Sequence, residues 1–283
     1  MFRLLLDIKV KIELALVDWR DGLSGNKMSK ITTSHSLTYT GYYEDAHRPV
    51  GGVVPVERLV TLYVNDQPLI NLMCTPARLE DLALGFLFNE GLIEEMGEVE
   101  RIETDDAESK VCVWLKHTII LPRPNAITSG CSGGVTFKDT FHERSRIESD
   151  VHITPQQATR LMQEFIQKTT LHRRAGGVHG AALAQEEQIL CLAEDVGRHN
   201  ALDKIAGACL RQGRSMQDCV LLVTGRLSFE MVDKAARMKI SIIISPTSPT
   251  SLSIRLAQEW GLTLIGYTRR RSFRLYTGQE RVI

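Results

Sequence analysis

The sequence has no surplus of either charge, since 34 Lys and Arg offset 34 Asp and Glu across 283 residues. A neutral chain lacks the field that draws proteins non-specifically onto nucleic acid, so no nucleic-acid partner is expected, although neutrality leaves room for a local basic patch. The chain also has no run of about 18 apolar residues, the length a helix needs to cross a bilayer, and no membrane partner is expected. The apolar-looking start, MFRLLLDIKVKIELALVDW, is broken by Asp7, Lys9, Lys11 and Glu13. It lacks the uninterrupted core and small-residue cleavage site of a secretory signal, so a cytoplasmic location is expected. Residues 1–28 are read as an extension that is disordered or not native; in the latter case Met28 is the natural start and 1–27 lie upstream of it. An intact mass of the native protein that includes Met1 or Phe2 would rule this out.

Also absent is any Cys-x-x-Cys pair, which removes the spacing signal for zinc and for a thioredoxin-like couple. The six cysteines are scattered at 74, 112, 131, 191, 209 and 219. Cys112 in VCVWL and Cys191 in ILCLA lie in strand-like runs, and Cys209 follows Leu202, Ile205 and Ala206 at helical spacing. These three, with Cys74 and Cys219, read as small buried hydrophobes. Cys131 differs: it stands in PNAITSGCSGGVTF, among glycines and small hydroxyl residues. That setting offers a structural thiol no apolar wall and a disulfide no partner. Glycines give the backbone wide reach, and nearby N–H groups favour the reactive thiolate. A mobile thiol of this kind suits a carrier that visits two places.

Hydrophobic content of 43% is ordinary for a globular protein,. RLVTLYVNDQPLINLM (58–73) reads as two strands turning at Asn65-Asp66. A helix is expected to open at Thr75-Pro76, with Leu79, Leu82, Ala83, Phe86 and Leu87 as its apolar stripe and Gly91 as its stop. Strand 111–115 follows, then the long irregular loop LPRPNAITSGCSGG. The second half opens on a Thr154–Gln157 capping box. GGVHGAALA and QILCLAE then read as strands paired across QEEQ. From there helices at 201–212, 228–238 and 249–260 alternate with strands at 219–223, 241–245, 262–267 and 273–277. That alternation predicts an α/β fold with a mixed, largely parallel sheet. A smaller α+β N-terminal domain (29–148) is expected to carry the Cys131 loop, ahead of a C-terminal domain (149–283).

If the strands run one way, their polar exits EDVGRHN, TGRLS, PTSPTS and TRRRS share one edge, where ligands of open α/β sheets bind. That edge carries Arg198, His199, Arg226, Thr247, Ser248 and the run Tyr267, Thr268, Arg269, Arg270, Arg271 and Ser272. Guanidinium groups and helix N-termini bind phosphate, so an anionic, nucleotide-bearing ligand is expected there. A solvated surface run would explain TRRRS alone. The glycines match neither a Walker A loop nor G-x-G-x-x-G. His179 and His199 read as satisfied core or surface histidines, and Glu194 and Asp195 as turn formers. A cysteine hydrolase using Cys131 with either histidine as base is a further alternative, although so glycine-rich a loop would hold its nucleophile poorly.

Taken together, GGVHGAAL, EDVGRHNALDKIAG, TGRLSFEMVDKAA, the SPTSPTSLS…YTRRRS tail and the SGCSGG loop resemble the FdhD family of formate dehydrogenase accessory sulfurtransferases. The resemblance runs from about residue 50 to the end. It implies a homodimer with a cytidine-deaminase-like C-terminal domain. It implies that sulfur arrives from a cysteine desulfurase and is held on Cys131 as a persulfide. The sulfur would pass to a molybdenum or tungsten bis-guanine-dinucleotide cofactor required by formate dehydrogenase, the segment 267–272 lying near that cofactor's nucleotide part. No structural metal is implied. A zinc deaminase is excluded, because His179 is followed by Gly180 and Ala181 and the cysteine pair is missing. One departure stands out: Gly134 occupies the place of the second loop cysteine found in many members. A chaperone that binds and delivers the cofactor without moving sulfur is therefore the alternative.

Overall fold

The computed structural model describes residues 32–105, 107, 109–119 and 144–283, with the backbone alone at 126–127 and 135–136. In chain order the strands and helices are β1 (Ser34–Tyr43), β2 (Ala46–Pro55), β3 (Arg58–Val64), β4 (Gln67–Cys74), α1 (Leu79–Asn89), β5 (Val99–Asp105), β6 (Lys110–Leu115), β7 (Ala126–Ile127) and β8 (Val135–Thr136). The second half continues with α2 (Pro155–Lys168), α3 (Thr170–Ala175), β9 (His179–Gln185), β10 (Gln188–Asp195), α4 (Arg198–Arg211), β11 (Val220–Val223), α5 (Phe229–Arg237), β12 (Ile242–Ile244), α6 (Ser251–Trp260), β13 (Thr263–Gly266) and β14 (Arg274–Thr277). The proposed extension 1–28 and Cys131 itself lie outside the described residues. So does most of the expected irregular loop, apart from the two-residue pairing of β7 with β8 on either side of 128–134.

Local signals set most of these elements. Asn65 and Asp66 both take positive φ, 48° and 63°, the left-handed pair that a tight two-residue hairpin turn requires. Thr154 accepts from the Gln157 N–H and Gln157 reciprocates, so the expected capping box starts α2. Gly91, at φ 75°, ends the α1 region as anticipated. The start of α1 is a correction, for it begins at Leu79 rather than beside Pro76. Arg78 adopts a left-handed conformation, and the Thr75 N–H is committed to the Asp195 carboxylate at 3.0 Å, which holds 75–78 out of the helix. Helix α4 likewise begins three residues earlier than its periodicity indicates, because Arg198–Asn200 are helical without being apolar.

The six-stranded sheet has the order β10-β9-β11-β12-β13-β14. Only β11–β12 and β12–β13 pair in parallel, and the other pairs are antiparallel. The expectation of a largely parallel sheet therefore needs refinement. Strand β9 reverses between β10 and β11, which leaves β10, β11, β12 and β13 pointing the same way. Both sheet faces are buried, as near-continuous apolar strands require. Ala182, Ala184, Val220, Leu222, Ile242 and Ile244 meet Leu161, Met162 and Phe165 of α2 on one side. Leu183, Leu221, Val223 and Ile243 face the other side, in a core shared with Leu202 and Ile205 of α4, Val232 of α5 and Ala257 of α6.

That second core continues through α1 into a smaller sheet of order β4-β3-β6-β5, where Val60, Leu62, Val111 and Val113 are buried. The portions before and after residue 148 thus share one hydrophobic cluster. Their junction is the crossing of α1 over α4. A Cβ on Gly85 would overlap the Asp203 carbonyl, and one on Gly207 would overlap the Asp81 carbonyl. Among the described residues no helix is long and apolar enough to cross a membrane. Cys74, Cys209 and Cys219 are buried as expected, whereas Cys112 and Cys191 are only partly covered.

The helix crossing makes a direct prediction. Gly85→Ala or Gly207→Ala must push two backbones apart, so each is expected to lower the unfolding free energy by about 3 kcal/mol in urea titrations. Gly51→Ala, where an added Cβ meets nothing within 4 Å, is expected to change it by less than about 0.5 kcal/mol.

Candidate functional site

The four like-directed strands deliver their exits to one edge, and backbone hydrogen bonds knit three of those exits together. The Leu227 N–H donates to the Ser248 carbonyl and the Thr250 N–H to the Leu227 carbonyl, both at 3.1 Å. The Tyr267 N–H donates to the Thr247 carbonyl at 3.0 Å and the Thr268 N–H to the Ser245 carbonyl at 3.1 Å. The Ser245 hydroxyl crosses to the Gly225 carbonyl at 2.7 Å and also meets Thr247 Oγ1 at 2.9 Å. Loops 224–228, 245–250 and 266–268 therefore behave as one surface. Gly266 allows this contact, since a Cβ there would stand 2.8 Å from the Thr247 carbonyl.

The β10 exit joins at Gly225. An added Cβ there would lie 3.2 Å from Arg198 Cδ and 3.3 Å from His179 Nδ1. His179 Nδ1 is also 3.5 Å from Thr224 Oγ1. Arg198 is buried at 5% exposure as the first residue of α4. His199 follows it, its Nε2 4.0 Å from a carboxylate oxygen of Glu230 on α5. Burial, with the positive charges of Lys234 and Arg198 beside it, holds the His199 imidazole well below its usual range. Burial and then Arg198 lower His179 as well. Both rings are neutral at physiological pH, so the fixed cation at the floor is Arg198.

The rim is basic. Arg226, Arg269, Arg270 and Arg271 are exposed, as is Ser272, while Thr247 and Ser248 are half-buried. Arg269 is partly committed: its guanidinium donates to the Pro246 carbonyl at 2.6 Å, and its N–H to the Ser272 carbonyl at 2.7 Å. Tyr267 takes a left-handed φ of 50° and lies under the Arg274 guanidinium, 4.1 Å from the ring centroid. Two buried hydroxyls, Ser228 Oγ at the start of α5 and Thr268 Oγ1, have no hydrogen-bond partner among the described residues. An anion resting on this edge would meet guanidinium groups, hydroxyls and the N–H groups of α5. Among the described residues no group of His, Cys, Asp and Glu is placed to hold a metal ion.

The residues singled out at this edge from the sequence are thus assembled there, apart from Cys131, which is not described. Sequence reasoning missed Ser245 and Arg274, placed Thr224, Gly225 and Ser228 at the edge only as part of the exit TGRLS, and undervalued His179. Only strand direction reveals them, since none belongs to a charged or aromatic run. Glu194 and Asp195 do more than form a turn. Glu194 accepts the Leu171 and His172 N–H groups at 3.0 and 2.7 Å, fixing the start of α3. Asp195 is fully buried and pairs with Lys204 at 2.5 Å.

With this geometry in view, the comparisons are specific. The FdhD/NarQ family model matches residues 55–283. The "Sulfur carrier protein FdhD" of Bacillus subtilis is 37% identical over 229 residues, which are 79% of this chain and 87% of that protein. The protein of the same name from Listeria innocua is 34% identical over 240 residues, 81% of this chain and 91% of that protein. A crystal structure from Desulfotalea psychrophila, provisionally assigned as a formate dehydrogenase accessory protein, superposes with a TM-score of 0.76 at 26% identity, covering 89% of this chain and all of that one. The chain belongs to the FdhD/NarQ family.

The neutral imidazoles set a pH dependence. An unfolded chain protonates histidine near pH 6.5, whereas the fold accepts those protons only at lower pH. Between the two values the unfolded state binds more protons, so stability is complete above about pH 6.5 and falls as the pH drops below it. His199→Gln is expected to flatten that fall in denaturation midpoints followed down to about pH 5. A slope identical to that of the parent protein would contradict the assignment.

Proposed function

We propose that this protein is a sulfur carrier, a sulfurtransferase that holds sulfur as a persulfide on Cys131 during maturation of formate dehydrogenase. The observation that carries the reading is the basic edge itself. Arg198, Arg226 and the 267–272 segment gather on one surface, in a chain whose relatives bear the name sulfur carrier protein. The Cys131 thiolate attacks the outer sulfur of a persulfide on a cysteine desulfurase, and the donor thiolate leaves. The substrate that receives the sulfur is the molybdenum or tungsten bis-guanine-dinucleotide cofactor, whose two pyrophosphates suit guanidinium groups and helix N-termini. Homodimerisation, a cytidine-deaminase-like arrangement of 149–283 and a cytoplasmic location complete the reading.

In this scheme the edge binds and orients, and the loop cysteine carries. Arg198 supplies a buried positive charge, to which the neutral His179 and His199 add none. With Gly134 where a second thiol would stand, no neighbouring cysteine in the loop can displace the outer sulfur from Cys131. The same substitution is what favours the second reading, a chaperone that binds the cofactor and moves no sulfur.

Intact-mass analysis without reductant, after incubation with a cysteine desulfurase and free cysteine, separates the two. A gain of one sulfur on the wild type, mapped to the Cys131 peptide and lost in Cys131→Ala, is expected. No gain on either, with the donor shown to be active, would leave the chaperone. Replacing Arg270 and Arg271 with Ala is expected to weaken cofactor binding about tenfold while leaving sulfur loading of Cys131 unchanged.

A further inference from the structure

Away from the basic edge, the last turns of α4 lie against the outer strand of the large sheet, and two thiols meet there. Cys191 of β10 and Cys209 of α4 stand with their sulfurs 4.0 Å apart, in a place the sulfur-carrier reading does not use. We propose that Cys191 and Cys209 form a peroxide-responsive dithiol, a modification site that closes reversibly to a disulfide.

Three independent features of the fold point to it. The first is separation: a disulfide needs about 2.05 Å between sulfurs, so the two side chains have about 2 Å to close. The second is slack. β10 is the edge strand of the sheet, and its pairing with β9 slips between Ile189 and Cys191, leaving Leu190 as an extra residue beside the thiol. Bulges of this kind re-aim side chains and free the strand to shift locally. The third is unequal access. Cys191 is partly exposed, whereas Cys209 is buried at 1% exposure, so a small oxidant reaches Cys191 first and the buried thiol is already in position to follow.

The local electrostatics agree with that order. The hydrogen bond between the two thiols lowers the Cys191 thiol against the opposing effect of burial, helped by the Leu183 backbone and by Arg78 and Arg214. The same bond, then burial, raises Cys209. Cys219 is buried nearby and raised mainly by burial, so it stays a thiol. Thiolate character at Cys191 is what a peroxide selects.

The chemistry closes without further reagents. The Cys191 thiolate attacks one oxygen of hydrogen peroxide, breaking the O–O bond, releasing hydroxide and leaving a sulfenic acid. The Cys209 sulfur then attacks the Cys191 sulfur, and its proton leaves with the departing hydroxyl as water. Two electrons pass from the two thiols to one peroxide. A small dithiol such as dithiothreitol reverses the step by exchange.

The test uses the full-length reduced protein, exposed to a small excess of hydrogen peroxide, alkylated and mapped by tryptic peptides. The expected product joins the Cys191 and Cys209 peptides, lighter by two hydrogens, and returns to free thiols with dithiothreitol. Cys191 is expected to react about tenfold faster than Cys112, whose thiol is raised chiefly by burial. In Cys209→Ser the linkage is lost and a sulfenic acid on Cys191 is trapped by dimedone, whereas Cys219→Ser retains the linkage. Linkage of Cys191 to Cys219 or Cys131, or no linkage at peroxide levels that oxidise Cys131, would overturn the proposal. The wild-type map alone decides this if Cys209→Ser fails to fold, and none of these outcomes depends on Cys131 carrying a persulfide.

Discussion

Everything in this protein leans on one helix crossing. At Gly85 and Gly207 the backbones of α1 and α4 touch with no side chain between them, and any larger residue would force the two helices apart. That approach seats α1 and the small sheet on the large one. It also fixes α4 along its length, and α4 begins in the candidate site with Arg198 and His199. The closeness brings buried polar groups into range of each other across the same seam. Asp203 takes both Lys234 contacts at 2.7 Å and a hydrogen bond from Asn89 at 2.7 Å. Lys204 reaches Asp195 at 2.5 Å and the Thr75 carbonyl at 2.9 Å. Buried charges without such partners would cost several kcal/mol each, so crossing and network stand or fall together.

This architecture explains the composition of the EDVGRHNALDK stretch. Asp195, Asn200, Asp203 and Lys204 all face the seam, where Asn200 also donates to the Met73 carbonyl at 2.7 Å. Arg198 and His199 turn the other way, toward Gly225 and Glu230. One short segment therefore serves two purposes, joining the halves of the protein and furnishing the floor of the site. A reader who takes every charged residue in it as a ligand contact assigns most of them wrongly. Position along the first turns of α4 separates the two groups.

The electrostatic character of the edge follows from the same packing. Histidines beside a buried arginine stay neutral, because a second cation in a poorly solvated place is unfavourable. The arginines of the 269–271 run remain at the rim, where exposed guanidinium groups keep their donors for a docking anion. Arg269 is the exception, tying its loop to Pro246. The floor is thus rigid and modestly charged, and the rim is strongly charged and accessible.

Local chemistry in the chain determined a good deal. The Asn65-Asp66 turn, the Thr154–Gln157 cap, the helices from α4 to α6 and the alternation of helix and strand were readable, because each rests on neighbours within about one helical turn. The motifs also point to the family. Other features depended on distant residues. The long β1–β2 hairpin went unassigned, its side chains mostly exposed on both faces and so without a buried alternation to reveal it. Pro76 misled because Thr75 is held by Asp195, 120 residues away in the chain. The exposure of Cys112 and Cys191 went the same way, since a strand-like run does not say that Cys112 faces the less covered side of the small sheet or that Cys191 lies on an edge strand of the large one. The convergence of residues 198, 226, 247 and 268 was only conditional in the sequence, for it required four strands to run alike. That direction is decided by β9 folding back between β10 and β11, a pairing of hydrogen bonds across the sheet that no local segment encodes.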